Sequence, residues 1–354
     1  SRGNANFTLN EGARELERLQ TLKGFKRSPF KGSAMSCSGC HMVDQALDMQ
    51  NAGMRGYVDF SKQAIVPLRV GDTQTHTPRN TPVLVGIGSK FAQNRFSHHD
   101  AEFDDHSQTV LGNFTGRNTG WLPSEKKEAL ANIVNIIRND NGEGDLAKEF
   151  GGSYAKIIKG VDKTIPTDFL IPKSYRADIK VLSDQEVIDK VVTSVTAYMD
   201  SLDFEVDQAG NYSGSPYDNF LDENRIPRGP SKNQDIFEYT NSLVDAFKKL
   251  KKPRFVKAKV FKNHKKSFEF GEKEWKGLKI FFNVQTKRKS GRGMCIACHS
   301  APLFTDQSFH NVGTTQIEYD KAHGKGSFAK MAIPNFTKKD KLIMSRVEKK
   351  DPSK

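Results

Sequence analysis

Cys37-Ser38-Gly39-Cys40-His41 and Cys295-Ile296-Ala297-Cys298-His299 repeat one pattern, C-x-x-C-H, within a chain of 354 residues. The spacing has a chemical reason. Two thiols three positions apart can each form a thioether to a vinyl group of one porphyrin, and the adjoining histidine then lies beneath the ring, able to ligate its iron. The two motifs use all 4 cysteines of the chain. A C-x-x-C pair also serves as a redox dithiol or as half of a zinc site. A dithiol needs neither a following histidine nor a second copy. An all-cysteine zinc site normally draws its pairs from much closer together. The pattern therefore predicts two covalently bound haem c groups, with His41 and His299 as iron ligands and Cys37, Cys40, Cys295 and Cys298 as attachment points.

Around the motifs the periodicity is helical, and the expected fold class is mainly α. Asn10 to Leu22 reads as a helix with Leu16 and Leu19 on one face. Ser124 to Arg138 carries an apolar stripe of Leu130, Ile133, Val134 and Ile137 behind Pro123. Ser183 to Leu202 opens on a capping box, Ser183 with Glu186, and presents Val187, Val191, Val195 and Tyr198. Ile236 to Leu250 is a further helix. Glu272 to Phe282, with Trp275, Leu278 and Phe281, precedes the second motif as Asn10 to Leu22 precedes the first. This loose internal echo suggests two related haem domains joined by long loops. Gln208 to Gly229, rich in Gly, Pro and Asn, reads as a connector or insertion. The expected division is residues 1–205, a connector at 206–265, and 266–354.

The formal net charge is +13, from 55 Lys and Arg against 42 Asp and Glu. Much of the excess lies between Lys248 and Lys289 and near the C-terminal end. Haem propionates would offset part of it, and an acidic redox partner would be steered by the remainder. Nucleic acid is not an expected partner for a protein with two haems. No run of apolar residues is long enough to span a bilayer. Haem is joined to C-x-x-C-H outside the bacterial cytoplasm, so the expected location is periplasmic, with any signal peptide already removed.

The second motif lies in Gly293-Met-Cys-Ile-Ala-Cys-His-Ser-Ala-Pro-Leu-Phe-Thr-Asp-Gln-Ser-Phe-His-Asn-Val-Gly313. This run resembles the bacterial dihaem cytochrome c peroxidase family, which includes MauG-like enzymes. Arg79-Asn80-Thr81-Pro82 is similar to the family's R-N-[ST]-P segment, and Asp104 to Gly112, with Ser107-Gln108, to its distal-pocket segment. The resemblance implies two cytochrome c-like domains. The N-terminal (peroxidatic) haem would react with hydrogen peroxide, and the C-terminal haem would pass electrons to it from a small donor, a cytochrome c or a cupredoxin. It also implies a calcium ion with Asn80 among its ligands, although Asn before Thr-Pro also suits a plain turn. Family members are often dimers, so a homodimer is expected.

The same resemblance assigns further residues. His76, in Asp72-Thr-Gln-Thr-His-Thr-Pro, matches a loop histidine that caps the peroxidatic iron and swings away on activation; a solvent-facing histidine is the plainer reading. Gln108 matches a distal glutamine. Where the family carries an acid–base glutamate this chain has Asn118, which cannot shuttle a proton. Cleaving an O–O bond needs a proton delivered to the leaving oxygen and charge stabilised there. Arg117 can supply the charge, and His98, His99, Asp100, Glu102 or His106 the proton. His310 matches a position that shapes the second haem's surroundings. Trp121 and Trp275 read as core residues. The family's R-x-P-x-L-R-N segment and the sixth ligand that follows it do not occur before Lys354, so the C-terminal domain is expected to be incomplete; Met331 and Met344 are not assigned. The leading expectation is a peroxidase, with Gln108, Arg117 and His76 as its catalytic residues. The alternatives are a MauG-like oxidase acting on a partner protein and a dihaem electron-transfer subunit without peroxidase activity.

Overall fold

The structure, a computed structural model, describes residues 37, 41–42, 59–60, 66, 69, 72, 81–92, 97–98, 102–143, 147–148, 151–260, 267–284, 293, 295–308, 310, 317, 320–321 and 323–330. These residues are mainly α-helical, with two short antiparallel strand pairs. They divide into two compact units. One holds the described residues up to 89 and those at 97–203; the other holds 90–92, 204–260 and those from 267 onward.

In the first unit, β1 (His41–Met42) pairs with β2 (Asp59–Phe60), His41 opposite Phe60. Among the described residues the helices α1 (His106–Phe114), α2 (Lys126–Asn139), α3 (Tyr154–Lys159) and α4 (Asp184–Ser201) follow. Each starts for a local reason. The Asp105 carboxylate accepts the Gln108 N–H at the head of α1, and Ser153 does the same for Lys156 at α3. The Ser183 capping box opens α4 as its sequence predicts. A 3-10 turn over Pro123–Glu125 leads into α2, because proline suits a first helical turn, where its missing N–H costs nothing. Val110 of α1, Val134 and Ile137 of α2, Ile179, and Val187, Ile188 and Val192 of α4 form the core. Arg138 ties α2 to the approach of α4, donating to the Ile179 and Leu182 carbonyls at 2.7 Å and to Asp184 at 2.9 Å. Gly88 is required by close approach, since a side chain there would meet the Asp200 carbonyl. Trp121 is buried beside Ala129.

The second unit contains α5 (Pro216–Glu223), α6 (Ile236–Lys249), the pair β3 (Val256–Val260) and β4 (Ser267–Phe270), and α7 (Glu272–Phe281). Residues 206–265, read from sequence as a connector, carry α5, α6 and β3. Glycine, proline and asparagine mark the turns there, and Ser215 with Asp218 caps a short helix between them. The core is aromatic. Phe220 stacks on Phe270 at 4.2 Å, Phe247 meets Trp275 and Phe282 edge-on at 5.6 and 5.0 Å, and Tyr239 and Leu243 are fully enclosed. Large side chains of this kind each contribute about 1.5–3 kcal/mol through burial. The Tyr239 hydroxyl donates to the Pro227 carbonyl at 2.8 Å. Helix α6 reaches the second C-x-x-C-H segment through Thr240, whose hydroxyl accepts the Ala301 N–H at 3.0 Å. Among the described residues, no helix is long and apolar enough to cross a membrane.

Candidate functional site

The second motif is a tight turn running straight into a folded-back loop. Cys295–Ala297 form a 3-10 turn whose first carbonyl accepts the N–H of Cys298 at 3.2 Å and of His299 at 2.8 Å. The chain then returns on itself: Thr305 N–H donates to Ser300, and Asp306 N–H to Cys298 at 2.8 Å. Phe304 and Gln307 sit at left-handed φ values of 56° and 55°, which close the reversal. Gly293 precedes the turn, and a side chain on it would meet the Ile280 carbonyl of α7 at 2.8 Å and the Cys295 sulfur at 3.2 Å. The glycine lets the motif lie directly against the helix.

This packing fixes the orientation of His299. Its Nδ1 is 2.8 Å from the Phe304 carbonyl oxygen. A carbonyl can only accept, so Nδ1 is the donor, and in the neutral ring Nε2 is the nitrogen that can ligate a metal. Metal-ligating histidines are held the same way, with the second nitrogen bonded to a backbone carbonyl. His299 is exposed and forms one wall of a cavity of about 370 Å³, lined also by Phe270, Glu274, Gly277, Leu278, Phe281 and Phe304. A Cβ added at Gly277 would meet nothing within 4 Å, so the helix face is open there. An apolar hollow with an imidazole at its edge, next in sequence to two cysteines, suits a macrocycle joined through those thiols. The donor set of the second motif fits a haem c.

At the first motif, Cys37 is exposed and His41 is half-buried in β1; Cys40 lies outside the described residues. Burial pushes the His41 imidazole down to about 4, the Pro82 backbone opposes that, and neighbouring His98 adds to it. The ring is therefore neutral at physiological pH, the form that ligates a metal. Its Nδ1 is enclosed with no completed hydrogen bond. A buried polar atom without a partner calls for an explanation, and this one is compatible with a histidine that serves an iron. Cys37 and His41 fit the group as far as they are described.

His76 and Asn80 lie outside the described residues, as do His99 and Asp100. The other expected distal residues occupy definite places. Gln108 is exposed on the first turn of α1, and its side-chain amide donates to Asp105 at 2.7 Å. Arg117 pairs with Asp72 across 45 residues of chain. Asp72 forms a tight bridge with Arg69, whose guanidinium donates to the Gly120 carbonyl at 3.0 Å and pairs with Glu125. Arg69 and Asp72 thus clamp the segment from Arg117 to Glu125 by two ion pairs. His98 is half-buried at a φ of 67°; its Nδ1 is 2.9 Å from a Glu102 oxygen, and its ring is edge-on to Phe103. Buried His106 bonds through Nδ1 to Asp200 at 2.6 Å. His310 bonds through Nε2 to Asp306 at 2.7 Å, and Trp275 is a core residue.

Asp72, Asp200 and Asp306 were not singled out from sequence as functional residues. Only Asp306 had a local signal, standing four residues before His310; the other two find their partners at long range. Compared with protein-family models, curated proteins and solved structures, the chain matches none.

Proposed function

We propose that the chain is a two-domain, dihaem c-type cytochrome that reduces hydrogen peroxide to water with electrons from a small redox protein, and so a relative of the bacterial dihaem cytochrome c peroxidases. The observation that carries the reading is the twice-repeated C-x-x-C-H, whose second copy holds His299 by Nδ1 to the Phe304 carbonyl beside an apolar hollow. When bound, the haems would supply the redox chemistry: hydrogen peroxide, two electrons and two protons yield two waters. The protein's part is ligation, exclusion of water and placement of protons. Neutral His41, and His299 held through Nδ1, would ligate the two irons. Phe281 and Phe304 line the hollow and would lie against a haem bound there, where solvent exposure is one of the levers on an iron's potential. Arg117 is buttressed by Asp72 and can hold developing negative charge without being free to swing. With asparagine at 118, the proton must come from elsewhere, and His98, backed by Glu102, is the described imidazole–carboxylate pair electrostatically coupled to His41. In this reading the location is periplasmic and the working form is a homodimer.

A second reading, an electron-transfer subunit without peroxidase activity, is favoured by one observation. Gln108 is turned onto its own helix cap and Arg117 is committed to an ion pair, so both polar groups expected to meet peroxide are engaged. The test is made on chain matured with haem. Intact mass should show two added haems, and Cys37→Ser and Cys295→Ser should each remove the attachment at their own motif. The half-reduced protein should then turn over peroxide with a reduced small donor, and its EPR spectrum should show one iron opening. Two haems that stay six-coordinate and inert to peroxide in every redox state would establish the carrier instead.

A further inference from the structure

We propose that Cys298, Asp306 and His310 form a site for a thiophilic divalent cation of the zinc class in chains whose Cys298 sulfur has not been joined to haem. One ligand atom from each of the three lies within 4.8 Å of the others. The set is thiolate, imidazole and carboxylate, three ligand types that zinc takes in combination, with a fourth position left for water or substrate.

The loop presents these groups together before any ion arrives. Asp306 N–H is bonded to the Cys298 carbonyl at 2.8 Å, which fixes the two residues back to back. One Asp306 oxygen accepts the Ser308 N–H at 3.0 Å, and the other faces His310 at 2.7 Å. Asp306 is only 7% exposed. A buried carboxylate costs free energy unless it is paired, and here the Ser308 N–H and the His310 ring supply the pairing. A tetrahedral zinc ion keeps nitrogen and oxygen ligands about 3.3 Å apart. The aspartate–histidine contact therefore needs to open by only about half an ångström, within the reach of side-chain rotation.

Cys295 is not a member of this trio. The site is therefore distinct from a C-x-x-C zinc half-site, although it uses one of the same sulfurs. The inference goes beyond the proposed function and adds a constraint to it. Haem attachment adds the Cys298 S–H across a vinyl double bond and leaves a thioether, which no longer offers a thiolate. Cation and haem then exclude one another at Cys298, and a chain that acquires the cation first would keep its second motif vacant.

The experiment uses the full chain produced without haem attachment and titrated with Co²⁺, then with Zn²⁺ in competition. One Co²⁺ per chain should bind with a thiolate-to-cobalt charge-transfer band and tetrahedral visible bands, both lost when Zn²⁺ is added. Cys298→Ser should abolish the charge-transfer band. Asp306→Asn and His310→Gln should weaken binding by about tenfold or more, the scale seen when a group supporting a metal is removed. Cys295→Ser should leave both band and affinity in place. Far-UV circular dichroism checks that each variant folds, and half-buried His310 gives a readout should Asp306→Asn disturb the loop. The proposal is overturned if Cys295→Ser removes the band, if His310→Gln leaves affinity unchanged, or if no saturable uptake occurs. Haem attachment is read separately by mass on matured protein, so either idea can fail while the other stands.

Discussion

Gly277 offers the sharpest test of where the second haem sits. It is an exposed residue in the interior of α7, it lines the cavity beside His299, and a side chain there meets open space. Gly277→Leu should therefore act with opposite signs on two measurements. In the haem-free chain the helix gains, because glycine is about 0.8 kcal/mol worse than leucine in an exposed helix interior. That corresponds to about a fourfold larger folding constant and a melting temperature higher by about 2 °C for a unit of this size. In matured chain the branched side chain occupies the hollow in which the macrocycle would lie. Attachment should then fall from two haems toward one, with the first motif still loaded. Intact mass and haem absorbance give the stoichiometry, and a thermal melt followed at 222 nm gives the stability. Gly277→Ala is the control: it should raise the melting temperature similarly and keep both haems. A leucine variant that still carries two haems with an unaltered spectrum would refute the assignment of this hollow. A leucine variant that melts lower would refute the inference that the helix face is open.

Three further outcomes follow from the packing. Asp105 caps α1, and the Ser107 hydroxyl, against the opposing effect of burial and together with the Gln108 N–H and side-chain amide, holds its carboxyl below the ordinary range. A depressed carboxyl stabilises above its unfolded pKa and loses that contribution as pH falls below about 4; Asp105→Ala should cost about 1 kcal/mol at pH 7, and melts repeated in acid should show the gap closing. Phe220→Ala removes a fully buried ring stacked on Phe270 and should cost about 3–5 kcal/mol in urea unfolding of the second unit. Arg138→Met keeps the apolar stem but strips donors from the Ile179 and Leu182 carbonyls and should cost about 1–3 kcal/mol, read from the same unfolding curves in the first unit.

The helices were legible because their causes are local. Ser183 with Glu186, the Pro123 entry and the apolar spacing of Val187 and Val191 each act within a few residues, and α2 and α4 lie where that spacing puts them. The short helix α5 was hidden because its turn residues outweigh eight residues of weak periodicity. Arg117 and Gln108 were read from the resemblance as distal residues. What they bond to was not, because Asp72 approaches Arg117 only when the chain folds.

Sequence alone determined the chemistry available at the second motif: two thiols and an imidazole at a spacing that no folding can alter, ahead of a stretch with the next histidine at 310. Tertiary structure decided how those groups are used. The Phe304 carbonyl selects which His299 nitrogen holds its proton, α7 supplies the apolar wall, and the return of the loop carries Asp306 and His310 up to Cys298. Spacing along a chain is covalent and fixed in advance. Tautomer, wall and ligand set depend on which surfaces meet, and that is settled only by the burial of Phe220, Trp275 and Phe282 in one core.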